Sequence, residues 1–69
     1  MEIIRLRDDY IKLGQALKAA GLVESGVMAK VVIQNGEVLV NGKKELQRGK
    51  KLKDGDLIEY HGQQIKICS

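Results

Sequence analysis

The side chains of this sequence that could do chemistry are mostly basic, and they are unevenly distributed. The eleven residues from Lys43 to Lys53, called here the basic segment, contain six Lys or Arg and one acid, Glu45, and so have a net charge of +5. The other 58 residues contain six Lys or Arg and eight Asp or Glu, and have a net charge of −2. A cluster of this density raises the local positive potential and attracts polyanions. The alternative is a solvated loop that only aids solubility.

Residues suited to catalysis or metal binding are few and scattered. The only histidine, His61, lies at a predicted hairpin turn with no nucleophile nearby in the sequence. Asp54 and Asp56 flank Gly55, but a glycine-centred turn favours Asp for backbone hydrogen bonding alone. The single cysteine, Cys68, cannot form an intramolecular disulfide, and the sequence contains no Cys/His cluster for zinc. We therefore predict that the chain is not an enzyme and has no cofactor and no metal site.

Aromatic side chains, which bind single-stranded nucleic acid by stacking on bases, are nearly absent. The chain has Tyr10 and Tyr60 and no Phe or Trp, which disfavours sequence-specific capture of a single strand by stacked bases. Phosphate contacts from Lys and Arg and recognition of shape remain possible, as expected for folded or helical RNA. Composition and charge thus favour structured RNA as the partner.

The length of the chain limits its architecture. A chain of 69 residues forms one domain, because it can bury only about 60% of its unfolded surface. Leu, Ile and Val supply 21 residues, so a small aliphatic core is expected. No apolar run approaches the roughly 20 residues that span a bilayer, and the N-terminus lacks a signal-peptide core. These features, with the lone cysteine, predict a cytoplasmic monomer.

The first half of the chain has the pattern of one strand and two short helices. Residues 2–6 are mainly apolar, include the β-branched Ile3 and Ile4, and predict an N-terminal strand. A helical stripe follows at Leu13, Ala16, Leu17 and Ala20, and Gly21 ends it. Ser25 is expected to cap a second helix that ends at Asn35-Gly36. The buried face of this helix is predicted at Met28, Ala29, Val32 and Ile33, with Lys30 on the opposite side.

The second half changes to the period of β-strands. Asn41-Gly42 and His61-Gly62 each stand between alternating segments and predict two-residue hairpin turns. The basic segment lies between the hairpins and is followed by an Asp54-Gly55 turn. The predicted order is β-α-α-β-β-β-β, an α+β fold with two short antiparallel helices packed on a small, mostly antiparallel sheet. The core is expected at Leu13, Leu17, Val32, Ile33, Val38, Val40, Leu57 and Ile65.

These motifs together resemble the S-four RNA-binding domain, or αL motif. The resemblance rests on Gly21, Ser25, Ala29-Lys30, the run Gly36-Glu37-Val38-Leu39-Val40-Asn41-Gly42, the stretch Arg48 to Lys51, and Gly55-Asp56. It covers residues 12–60, the expected motif core of a single domain over 1–69. The length is most similar to that of the small stand-alone bacterial members of YaaA/YbcJ type. In many other members this domain is attached to a catalytic domain.

The resemblance implies RNA binding, with ribosomal RNA as the expected ligand, through the second helix and the adjoining hairpin loop. By position it assigns contacts to Ser25, Lys30, Lys43, Lys44, Arg48, Lys50 and Lys51. Two positions depart from the family pattern. Gly26 stands where many members have Arg after the capping Ser, so contact there would use backbone N–H groups. Lys12 replaces a small capping residue and would extend the basic face.

Two other functions remain open from the sequence. The basic face could bind an acidic protein partner instead of RNA. The Asn-Gly hairpin and the following Asp-Gly-Asp also resemble the end of β-grasp sulfur carriers. Those carriers need a C-terminal Gly-Gly, whereas this chain ends in Ile67-Cys68-Ser69.

Overall fold

Two helices and seven short strands make up the fold. The structure, a computed structural model, describes all residues from 1 to 69. The elements are β1 (Glu2–Arg5), β2 (Ile11–Lys12), α1 (Leu13–Ala19), α2 (Gly26–Gln34), β3 (Val38–Val40), β4 (Lys43–Lys44), β5 (Lys51–Leu52), β6 (Leu57–Tyr60) and β7 (Gln63–Cys68). The predicted α+β class, with two helices on a small sheet, is confirmed.

The main sheet has five strands in the order β1-β7-β6-β3-β4. Adjacent strands in this sheet are antiparallel, except that β1 and β7 are parallel. The predicted strand order omitted a second sheet, in which β2 and β5 pair antiparallel over Ile11–Leu52 and Lys12–Lys51. A pair only two residues long has no periodicity for sequence reasoning to detect. It matters here because it holds the basic segment against the start of α1.

Both predicted hairpin turns are confirmed by their backbone angles. Asn41 and Gly42 have φ of 53° and 84°, and His61 and Gly62 have φ of 48° and 81°. Positive φ at both central residues is the geometry of a type I′ turn, which matches the twist of the flanking strands. The residues that flank each turn are paired across the hairpin, Val40 with Lys43 and Tyr60 with Gln63.

Each helix ends as its sequence predicts. After α1, the N–H of Leu22 donates to the Leu17 carbonyl and that of Gly21 to the Lys18 carbonyl. After α2, Glu37 and Gly36 repeat this arrangement. Both ends are Schellman motifs, which place a glycine at positive φ. At the start of α2, Ser25 Oγ accepts from the N–H of Met28 at 3.2 Å, so the predicted cap is confirmed.

The core lies between the helices and one face of the main sheet. Seven of the eight residues expected there are buried, but Leu57 is half-buried and its neighbour Ile58 is fully buried instead. The pairing of Ile58 with Ile65 fixes which side of β6 faces the helices. Met28, expected on the buried face of α2, is 47% exposed. Three residues of that helix suffice to fill its side of the core: Ala29, Val32 and Ile33.

Candidate nucleic-acid interface

The basic segment is fixed to the first turn of α1 by backbone hydrogen bonds. The N–H of Leu13 donates to the carbonyl of Lys50 at 2.8 Å, and that of Gly14 to the carbonyl of Arg48 at 3.0 Å. The helix begins after Lys12, whose side chain has no acceptor and cannot cap. Gln15 Oε1 accepts from the N–H of Lys12 at 3.3 Å. The basic segment thus supplies acceptors for the first turn that a capping side chain would otherwise provide.

Arg48 joins the starts of the two helices. Its side chain crosses Gly14 so closely that a Cβ there would lie 2.6 Å from Arg48 Cγ. Its guanidinium then reaches the start of α2, where Nη1 donates to the carbonyl of Gly26 at 3.5 Å. Glycine is therefore needed at position 14 for space, since its backbone is helical. The guanidinium is held where the amino ends of both helices converge.

A polar cavity of about 360 Å³ opens at this convergence. We call it the basic pocket, because three cationic side chains and no acid line it. Its lining residues are Lys12, Gly14, Gln15, Lys18, Gly26, Arg48 and Gly49. The pocket brings together three residues that sequence reasoning assigned to RNA contact, namely Lys12, Gly26 and Arg48.

Two side chains of the basic pocket, Gln15 and Lys18, were missed by sequence reasoning. A signal for them exists in the sequence. Both lie on the polar side of α1, off the stripe of Leu13 and Leu17, and Lys18 follows Gln15 by three residues. Residues three or four apart share a helix face. The helical period therefore places Gln15 and Lys18 together on the polar face of α1, but it does not show that this face adjoins the basic segment.

The remaining predicted residues of α2 flank the basic pocket. Ser25 caps the helix, and its Oγ accepts a hydrogen bond from the Met28 N–H. Lys30 is exposed and lies one turn beyond Gly26, so the two share a face of the helix. The exposed side of α2 also bears Val27 and Val31, which are 73% and 51% exposed.

Lys43 and Lys44 lie on the edge strand β4, away from the basic pocket. The Lys44 side chain passes over Gly36, just beyond the end of α2, while Arg48 reaches Gly26 at its start. A nine-residue helix is about 13 Å long, a distance that the four residues after Lys44 can cover when extended. The segment from Lys44 to Arg48 therefore links the two ends of α2.

Lys50 and Lys51 occupy two different surroundings. Lys51 lies directly opposite Lys12 in the two-residue sheet, and its Nζ is 4.8 Å from the centroid of the Tyr10 ring. A cation over an aromatic face is attracted by the ring quadrupole. Lys50 acts electrostatically on Asp56 on the other side of the segment. The structure thus separates these two lysines, which are adjacent in sequence.

The end of the basic segment is fixed by Asn41 and Asp56. Asn41 Nδ2 donates to Asp56 Oδ1 at 3.0 Å, and Asn41 Oδ1 accepts from the N–H of Leu57 at 2.9 Å. Asp56 Oδ2 accepts from the N–H of Lys53 at 2.9 Å. Partial burial raises the pKa of Asp56, but the bonds from Lys53 and Asn41 and the charges of Lys50 and Lys53 outweigh it, so this pKa lies below its ordinary value.

His61 lies outside the basic pocket and has a structural partner. Its Nε2 is 2.6 Å from Glu37 Oε1, and its ring stacks on that of Tyr60 with centroids 4.1 Å apart. These contacts tie the second hairpin turn to the residues after α2. The chain has no group of three or more side chains placed to hold a metal ion. None of its helices has the length and apolarity to cross a membrane.

Comparison with known proteins defines the class. The family model of the S4 domain matches residues 4–68. The solution structure of YbcJ from E. coli, described as revealing an αL motif involved in RNA-binding, superposes with a TM-score of 0.76 and 28% identity, covering 100% of this chain and 89% of that one. Fold and match together define a small α+β module of the αL type. The chain belongs to the S4 domain family.

Two relatives similar in sequence are of nearly the same length. One, from Bacillus subtilis (strain 168), bears the name probable ribosome maturation protein RlbA, and is 44% identical over 59 residues, 86% of this chain and 83% of the relative. The other, YbcJ of Escherichia coli (strain K12), is 31% identical over 60 residues, 87% and 86% of the two chains. The S4 domain is a non-enzymatic RNA-binding fold, so the prediction that the chain is not an enzyme is confirmed. The match also assigns the Asn41-Gly42 hairpin to this family and not to a β-grasp carrier.

Proposed function

We propose that this protein binds structured ribosomal RNA through phosphate contacts and shape, using α2, the basic segment and the basic pocket. The observation that carries the proposal is the convergence of Lys12, Lys18 and Arg48 around one cavity without an acid in its wall. Three cations held this closely repel one another, and a bound phosphate would relieve that repulsion. A protein that gathers positive charge in this manner suits a polyanion whose backbone passes between the two helix starts.

The proposed contacts with RNA differ with their position on the surface. The basic pocket would hold one phosphate, with the N–H groups at the start of α2 as further donors. Lys30 would meet the next part of the backbone along α2. Lys43, Lys44, Lys50 and Lys51 would surround these contacts with further positive charge. Ser25 fixes the first turn of α2 by accepting from the Met28 N–H, and its own O–H is a further donor that would reach a phosphate there.

Ribosomal RNA is the proposed ligand because of the relatives. One is named for ribosome maturation, and the solved relative is described as having a motif involved in RNA-binding. Such an RNA offers helices and folded loops, which suit recognition by charge and shape. We propose that the protein acts as a monomer in the cytoplasm, where this ligand is made and assembled.

Crosslinking in cells followed by sequencing of the bound RNA tests this function. The expected result is enrichment of ribosomal RNA at one or a few structured regions, and loss of that enrichment for Lys18→Gln. The matched control is Lys66→Gln, which removes one charge from β7. Since Lys66 lies between the buried residues Ile65 and Ile67, its side chain points away from the helices. Equal loss with both variants would contradict the role of the basic pocket.

A protein partner is the second candidate, and the exposed valines of α2 are the observation that favours it. Val27 and Val31 lie beside Lys30 on a helix face that no other element covers. A pull-down treated with RNase separates the two functions. Partners released by RNase support RNA binding, whereas partners that remain bound would favour the interaction module.

A further inference from the structure

Tyr10 is a large exposed aromatic side chain that the proposed function does not use. It is 41% exposed and lies in the segment between β1 and β2. It lines a cleft of about 440 Å³ that includes Ile4, Ile11, Asp8 and Gln15. Gln15 also lines the basic pocket, and a third cleft shares Tyr10 with the first cleft, Lys12 with the basic pocket, and Gln15 with both. The ring is therefore next to the proposed phosphate site, on a continuous surface.

The surroundings of the ring combine apolar walls with charged groups of both signs. Lys51 covers part of one ring face with its ammonium group, at 4.8 Å from the centroid. Arg5 and Arg7 line the same cleft as the ring. The carboxylate of Asp8 accepts none of the side-chain hydrogen bonds in the chain and takes no part in its ion pair. The cleft thus offers a flat ring, a free acceptor and nearby cations.

We propose that Tyr10 is the stacking platform for one unpaired nucleobase of the bound RNA. The inference rests on the proposed function, since the base would belong to a nucleotide whose neighbouring phosphate lies in the basic pocket. The base stacks on the exposed part of the Tyr10 ring, and the ammonium group of Lys51 remains near the same nucleotide. A single ring serves a bulged or looped-out nucleotide and not a continuous single strand, which needs a series of such platforms.

The size and chemistry of the cleft fit a base. Its volume lies within the roughly 300–1,000 Å³ of small-ligand sites. Ile4 and Ile11 give it an apolar wall, and Asp8 supplies an acceptor at its rim. An ionised carboxylate only accepts hydrogen bonds. It therefore suits a base with an exocyclic amino group, namely adenine, cytosine or guanine, better than uracil, whose exocyclic groups are both carbonyls.

Two RNA hairpins that differ by one bulged adenosine test the inference. Wild-type protein is expected to bind the bulged hairpin more tightly than the fully paired one. Tyr10→Ala should reduce affinity for the bulged hairpin by about 5- to 150-fold, the range that follows from about 1–3 kcal/mol of stacking per base. It should leave affinity for the paired hairpin unchanged. Tyr10→Phe keeps the ring and should bind both hairpins as the wild type does.

A second measurement needs no change at the ring. Tyr10 and Tyr60 are the only fluorescent aromatic residues, since the chain has no Trp. Tyr60→Phe leaves Tyr10 as the sole emitter and keeps the ring that stacks on His61. Stacking on a base quenches tyrosine emission, so the bulged hairpin should quench it and the paired hairpin should do so far less.

The possible results distinguish a failure of the stacking proposal from a failure of the proposed RNA binding. Equal affinity of the wild type for both hairpins, with equal quenching, would overturn the stacking site and leave RNA binding intact. Tight binding of the bulged hairpin that Tyr10→Ala does not weaken would do the same. Failure of the wild type to bind either hairpin would overturn both. Replacing the bulged adenosine by uridine should weaken binding, and Asp8→Ala should remove that preference.

Discussion

At the scale of single residues, a few local contacts determine where the cations of the basic segment lie. The absence of a side chain at Gly14 allows Arg48 to cross α1 and reach the carbonyl of Gly26. Asn41 and Asp56 fix the other end of the basic segment, Asn41 by donating from Nδ2 and accepting at Oδ1, and Asp56 by accepting at both carboxylate oxygens. Three residues that offer a phosphate no positive charge, Gly14, Asn41 and Asp56, therefore position the cations that would bind it.

Gly14→Ala tests the passage of Arg48. The added Cβ would lie 2.6 Å from Arg48 Cγ and 3.2 Å from Cδ, so the arginine must move. Affinity for a structured RNA should fall by about tenfold, the order expected for one lost bond to a charged group. Stability should change little, because alanine favours a helix over glycine by roughly 0.5–1 kcal/mol and offsets part of the clash.

Fluorescence anisotropy with a labelled RNA hairpin measures this effect. Gly49→Ala is the matched control, because it lines the same pocket and an added Cβ there meets no atom within 4 Å. Equal affinity of the two variants would show that the path of Arg48 over Gly14 is unimportant.

Asp56 links the stability of the fold to pH. Its pKa is lowered in the folded chain, so its ionised form stabilises the fold above the unfolded pKa of about 3.9. This contribution is lost as the pH falls through the lower, folded pKa. In the Asp56→Asn variant, the free energy of unfolding should therefore fall less steeply than in the wild type as the pH decreases below about 4.

Urea unfolding at several pH values between 7 and 3 measures this dependence. Asp9→Asn changes the net charge by the same amount at an exposed residue that accepts no side-chain hydrogen bond. It should keep the steeper dependence of the wild type. An unchanged acid slope for Asp56→Asn would mean that the bonds of Asp56 do not favour its ionised form.

At the scale of elements, the turns and helix ends could be predicted from the sequence, because they require particular residue types. The hairpins at Asn41-Gly42 and His61-Gly62 were predictable, because few residue pairs adopt positive φ at two successive positions. The helix ends at Gly21 and Gly36 were predictable for a related reason. The pairing of β2 with β5 was not, because two residues per strand show no alternation. Lys18 was missed because its role depends on that pairing, which brings the basic segment to α1.

Strand β6 shows where local pattern is insufficient. Leu57 and Ile58 are both apolar, so the sequence does not indicate which one faces the core. The register with β7 decides it, since Ile58 lies opposite the buried Ile65. A shift of one residue reverses every side chain of a strand.

A pair of alanine substitutions tests this register. Ile58→Ala should cost about 2–5 kcal/mol of unfolding free energy, because its side chain is fully buried. Leu57→Ala should cost distinctly less, because Leu57 is half-buried on the opposite face. Chemical denaturation of both variants measures the difference, and a larger loss for Leu57→Ala would show the opposite register.

At the scale of the whole molecule, the fold separates a core from a cationic surface. The thirteen buried residues of the core are all hydrophobic. The cations project from α1, α2 and the basic segment, and the basic segment meets the two helices only because of long-range pairing. Charge density along the sequence predicted that a cationic surface exists, but only the fold brings Lys12, Lys18 and Arg48 to one cavity.

The dependence of RNA affinity on salt tests the central claim most directly. Binding of a structured ribosomal RNA fragment is measured at several salt concentrations for the wild type, for Lys12→Gln with Lys18→Gln, and for Lys66→Gln, all shown to be folded by circular dichroism. Phosphate contacts release counterions, so affinity should fall steeply as salt rises. Removing both lysines of the basic pocket should reduce the slope of log affinity against log salt by about two units at most, while Lys66→Gln leaves it near that of the wild type. An unchanged slope in the double variant, or an equal reduction per charge in Lys66→Gln, would contradict phosphate binding in the basic pocket.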